Sequence, residues 1–83
     1  MKFSIVANPK QPNMKKILTK VIGFLEDFDL EKETAKIVGL TGNSITKLQG
    51  DIIISLGGDG TLLHILSYLN KPVFGIFQEE KTC

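Results

Sequence analysis

Five consecutive residues carry most of the chemistry on offer: Gly57, Gly58, Asp59, Gly60 and Thr61. Three glycines surround one carboxylate, and a hydroxyl follows. Without side chains, Gly57, Gly58 and Gly60 let a ligand approach the backbone closely and permit positive φ. If a helix begins here, its first N–H groups have no partner within the helix and suit phosphate oxygens. Asp59 is the one carboxylate of the turn, and a carboxylate within reach of a hydroxyl can accept its proton. Phosphoryl transfer to a hydroxyl asks a protein mainly for positioning and charge stabilisation. His64, the only histidine, follows one helical turn later. It either faces the ligand or sits half-exposed on the surface.

The string therefore reads as a nucleotide-phosphate site with one carboxylate inside it. The plainer reading is an ordinary turn in which Asp59 forms an Asx-turn or caps a helix. The flanking sequence favours the first. Residues 51–56 read as a strand in which Ile52, Ile53 and Ile54 form a continuous β-branched run, as expected where both sheet faces are covered. Leu62, Leu63, Leu66 and Leu69 recur at helical spacing, and Asn70-Lys71-Pro72 ends that helix. Val73 to Phe77 reads as a further strand. Asp51 to Phe77 is thus a complete β-α-β unit whose crossover should be right-handed. Its glycine turn lies at the carboxyl end of a strand, where ligands bind in open α/β sheets. No Gly-x-x-x-x-Gly-Lys-Ser/Thr string occurs, so the turn is not a P-loop, and it lacks the Gly-x-Gly-x-x-Gly fingerprint. Ser55 has no triad partner that would make it a nucleophile.

The preceding residues must supply the rest of the sheet. Phe3 to Ala7 reads as a buried first strand closed by Asn8-Pro9. Asn8 and Lys10 lie just beyond the strand end, where they can face a ligand, although making the turn is their simpler role. From Met14 to about Phe28, apolar residues Ile17, Leu18, Val21, Ile22, Leu25 and Phe28 form one helical stripe, with Asn13 as N-cap. Thr34 to Val38 reads as a weak second strand. Residues 39–50 accommodate a short helical turn or a short strand, with Gly50 as the stop. Residues 78–83 are a polar tail that reads as unpacked.

A length of 83 residues allows one small domain, and 42% hydrophobic content argues against disorder. A net charge of +1 gives no electrostatic case for nucleic acid or a membrane surface. No apolar run is long enough to span a membrane, and the apolar start stops at Asn8-Pro9, too early for a signal peptide. The lone cysteine, Cys83, excludes a disulfide within the chain and fits a reducing cytoplasm.

The residues Ile52-Ile-Ile-Ser-Leu-Gly-Gly-Asp-Gly-Thr-Leu-Leu-His64, followed by Lys71-Pro-Val-Phe-Gly-Ile76, resemble the NAD kinases. Diacylglycerol and sphingosine kinases share a similar Gly-Gly-Asp-Gly-Thr. The Leu-Leu after Thr61 and the Pro-Val-Phe-Gly-Ile run are closer to the NAD kinases. The resemblance implies a three-layer, Rossmann-like half-domain with a mostly parallel sheet, residues 1–83 being the N-terminal domain. It implies phosphorylation of the 2′-hydroxyl of the adenosine ribose of NAD to give NADP, with ATP or polyphosphate as donor. Asp59 would be the proton acceptor. Gly57, Gly58, Gly60 and Thr61 would contact phosphates, and His64 stands where the family often places a basic residue near the ligand. Metal-site spacing is absent from the sequence, so Mg²⁺ would arrive with the nucleotide. Homo-oligomers are expected of the full-length family. Two departures qualify the match. Phe77 stands where the family has asparagine, and the family's following Gly-x-Leu-Gly-Phe run and second domain are absent from these residues. The expectation is therefore a kinase domain that is inactive alone. A lipid kinase domain and a non-catalytic nucleotide-binding fragment are the alternatives.

Overall fold

Apolar runs of strand length and of helical period alternate along residues 1–77, the part that the computed structural model describes. They form strands β1 (Phe3–Ala7), β2 (Phe28–Leu30), β3 (Ile52–Gly57) and β4 (Val73–Phe77). Between them lie helices α1 (Met14–Gly23), α2 (Lys32–Ile37) and α3 (Asp59–Tyr68), with a single 3₁₀ turn at Ile45–Lys47. The four strands make one sheet in the order β2-β1-β3-β4, and every pairing is parallel. Phe3 pairs with Phe28 on one side and Ile52 on the other, and Ile53 pairs with Val73.

Side chains alternate across a strand, so each paired row shares a face. Ile5, Ala7, Leu30, Ile54 and Leu56 pack with Met14 and Leu18 of α1 and Ala35 of α2. Val6 and Ile53 turn the other way and pack with Ile65 of α3 and Leu48 beyond the 3₁₀ turn. The result is the expected three-layer α/β half-domain, with a core on each face of the sheet. Ile5, Leu18, Ile53, Leu56 and Ile65 are fully buried, each contributing roughly 1.5–3 kcal/mol by leaving water. At the β4 edge the layer is incomplete, since Phe74 and Ile76 are exposed on the α1 side.

β1 and β4 coincide with the stretches read from sequence, and β3 is displaced by one residue. Three expectations are corrected. The first helix stops at Gly23 instead of running to Phe28. Leu25 and Phe28 still pack on the α1 core, so the apolar spacing continues although the helix has ended. The side chain of Asn13 does not cap α1; its backbone takes a left-handed turn, φ 64°. Thr34 to Val38 is not a strand. The second strand is Phe28–Leu30, and residues 32–37 are helix α2 because Glu31 caps it, accepting from Thr34 N at 3.0 Å and Glu33 N at 2.9 Å. The polar tail, with Cys83, lies outside the described residues.

The loop between α2 and β3 is held by polar contacts beneath the sheet. Ser4 Oγ donates to Asp29 Oδ1 and accepts from Gly50 N at 2.7 Å. Asp29 Oδ2 accepts from Gln49 N at 2.9 Å. A β-carbon at residue 50 would stand 2.7 Å from the carbonyl carbon of Phe3, which is why glycine occupies it. Lys71 Nζ donates to the carbonyls of Leu48 and Gly50, at 2.9 and 2.8 Å.

Candidate functional site

The strand order reverses between β1 and β3: the chain leaves β1 toward β2 and leaves β3 toward β4. A crevice is expected outside the carboxyl ends of the strands at such a switch point. A cleft of about 480 Å³ opens there. Its floor is the end of β1, from Val6 through Asn8 and Pro9. One wall is the start of α3, with Gly58, Gly60, Thr61 and His64. The facing wall carries Glu31 and Glu33, from the cap and first turn of α2, and Gln11 also reaches the cleft.

The glycines of the turn do different things. Gly57 ends β3 with φ 149°, and a β-carbon there would come within 2.7 Å of Thr61 Oγ1 and 3.1 Å of Asn8 Cβ. The fold itself requires this glycine. Gly58 has φ −108°, and Gly60 lies in the first turn of α3. A β-carbon at either would meet nothing within 4 Å. The fold has no need of glycine at these two positions, and both border the cleft. A side chain added at either would project into open space.

Gly58 is the N-cap of α3 and has no side chain with which to cap it. Thr61 N and Leu62 N bond back to Gly58 O at 3.2 and 3.3 Å. The N–H groups ahead of them remain available at the positive end of a ten-residue helix. Asp59 is the first residue of that helix and is exposed, and its carboxylate makes no hydrogen bond among the described residues. It is neither the cap nor an Asx-turn residue. His64 stands one turn further on, its ring edge-on to Tyr68 with centroids 5.2 Å apart.

Of the six residues read from sequence as a site, Gly58, Gly60, Thr61 and His64 line the cleft. Asp59 and Gly57 do not line it: Asp59 lies between Gly58 and Gly60 at the start of α3, and Gly57 ends β3. Asn8 lines the cleft while also making its turn, Oδ1 accepting from Lys10 N at 3.0 Å; Lys10 does not line it. Gln11, Glu31 and Glu33 were not legible as site residues. The only sequence signal for the two glutamates is their place just after β2, a strand too short to read. Among the described residues, no three His, Cys, Asp or Glu side chains come together as a metal site. No described helix is long and apolar enough to cross a membrane.

Comparison with known proteins extends the likeness beyond the glycine turn. An NAD kinase of Chlorobium limicola is 39% identical over 84 aligned residues, which cover 92% of this chain. By sequence, the chain is similar to NAD kinases over most of its own length. The NAD kinase of Thermoplasma acidophilum is 33% identical over 79 residues, again 92% of the chain. That of Thermoplasma volcanium is 50% identical over 46 residues, 55% of the chain. The matched region is 29%, 29% and 17% of these three NAD kinases, so the chain spans less than a third of their length. No protein-family model and no solved structure matches the chain.

Proposed function

We propose that the cleft is the acceptor side of an NAD kinase site, in which Asp59 takes the proton of the 2′-hydroxyl of the adenosine ribose of NAD. The 2′-oxygen bonds to the terminal phosphorus of ATP or polyphosphate. The bond from that phosphorus to its bridging oxygen breaks, the bridging oxygen keeps the electron pair, and NADP results. The observation that carries this reading is a carboxylate with no structural employment, set between two glycines that the fold does not need. The N–H groups at the start of α3 and the Thr61 hydroxyl would hold phosphate oxygens, with His64 at the rim. The names of the relatives favour NAD over a lipid as the acceptor. The described residues offer no protein cage for Mg²⁺, which would travel with the donor's phosphates, and no step above runs through it. On the same reading residues 1–83 are one nucleotide-binding domain that works with substrate contacts outside it. These residues alone then give no measurable NADP, because remote contacts position the reacting hydroxyl. A cytoplasmic setting and a homo-oligomeric full-length enzyme belong to this reading too.

The test is Asp59→Asn in a version of the chain joined to the remaining part of an NAD kinase. Since the Asp59 carboxylate makes no hydrogen bond among the described residues, melting should not change. Turnover should fall on the order of 10² to 10⁴, with a much smaller change in KM for NAD. Unchanged kcat at unchanged melting temperature removes Asp59 from the chemistry.

A further inference from the structure

The facing walls of the cleft have opposite character, and this bears on how a nucleotide would lie in it. The α3 residues that line the cleft present backbone donors at a helix's positive end, with the Asp59 carboxylate outside the lining. The α2 wall presents a carboxylate, which only accepts. Glu31 is half-buried and fixed by three bonds. Its Oε1 accepts from Thr34 N at 3.0 Å and from Thr34 Oγ1 at 2.9 Å, and its Oε2 accepts from Glu33 N at 2.9 Å. The Thr34 hydroxyl in turn accepts from Ala7 N at 2.8 Å, which ties Glu31 to the cleft floor. One lone pair of Oε2 remains, on a group that has no ordering cost left to meet.

We propose that Glu31 is a ribose-binding residue: the cleft takes a ribonucleotide with its phosphates toward α3 and its 3′-hydroxyl donating to the Glu31 carboxylate. This rests on reading the cleft as a nucleotide site. A phosphate is repelled by Glu31 and drawn to α3, whereas a hydroxyl donates well to a carboxylate. Acidic side chains hold ribose hydroxyls in the crevices of other dinucleotide-binding sheets.

The experiment is calorimetric or NMR titration of the 83-residue chain with ADP and with 3′-deoxy-ADP, on the unaltered chain and on Glu31→Gln. The unaltered chain should prefer ADP on the order of tenfold, as for a hydrogen bond to a charged group. In Glu31→Gln the ADP affinity should fall toward that of the analogue, and the analogue's own affinity should not fall. Equal binding of the two by the unaltered chain overturns the proposal. A preference that survives intact in Glu31→Gln also overturns it, while the cleft remains a nucleotide site. Absence of binding by either ligand removes the nucleotide reading itself, and the proposal with it. Should Glu31→Gln not fold, Glu31→Asp serves, because aspartate caps helices well and draws the carboxylate back by one methylene. Full retention of the preference in that variant counts against Glu31.

Discussion

Helices α2 and α3 both begin at the cleft, and they begin in opposite ways. At α2 the preceding residue brings its own carboxylate, and Glu31 satisfies two backbone donors and one hydroxyl. At α3 the preceding residue is Gly58, which brings nothing, and the carboxylate that follows it bonds to nothing described. The α2 start is complete within the fold. The α3 start is left incomplete, and the backbone around it is kept bare. Stability and ligand binding draw on the same groups, so a helix that caps itself has fewer donors to offer. On the proposed reading, this contrast makes α3 the phosphate end of the cleft.

The sharpest stability test of this contrast is Thr34→Val. It removes the hydroxyl between Ala7 N and Glu31 and leaves a buried N–H without an acceptor. Urea unfolding should show a loss of about 1–3 kcal/mol. Next come Glu31→Ala and Asp59→Ala, measured side by side. Glu31→Ala should lose about 1 kcal/mol with its cap. Asp59→Ala should stay within about 0.5 kcal/mol of the parent. Equal losses would mean that both helices are capped in solution, and the distinction would be gone. The smallest change is Gly60→Ala, which should raise stability by a few tenths of a kcal/mol, alanine being the better helix former. The same variant should weaken nucleotide binding by crowding the cleft. A lower melting temperature for Gly60→Ala would show that the fold, and no ligand, requires that glycine.

The β3-turn-α3-β4 half of the molecule was legible because each of its signals is local. A β-branched run, a glycine cluster and apolar residues at helical spacing follow one another, and four cleft-lining residues sit inside them, although Leu63 and Leu66 of the expected stripe are exposed and Ile65 is the residue α3 buries. The other half was not, for two physical reasons. β2 has three residues, with Asp29 in the middle, and no alternation can be read from so few. Glutamate is not a favoured N-cap, so Glu31 gave no sign that a helix starts after it. What makes Asp29 and Glu31 work is tertiary: Ser4, Gln49 and Gly50 gather round one, and the Ala7–Thr34 link fixes the other. Half of the cleft wall depends on these long-range contacts, and so only the α3 wall could be named from sequence.

The position of β1 has a consequence for the birth of the chain. It precedes the other described strands in the chain, yet it is interior, with β2 on one side and β3 on the other. Its hydrophobic residues must wait on the ribosome for partners encoded well downstream, and parallel pairings of this kind close slowly. The cleft shares that delay, since its floor comes from β1 and its α3 wall follows β3. Binding competence should therefore appear in one step, with the β1–β3 pairing. Pulse-labelled amides of Ile5 and Ile54 should gain protection together during refolding, and no earlier species should bind nucleotide.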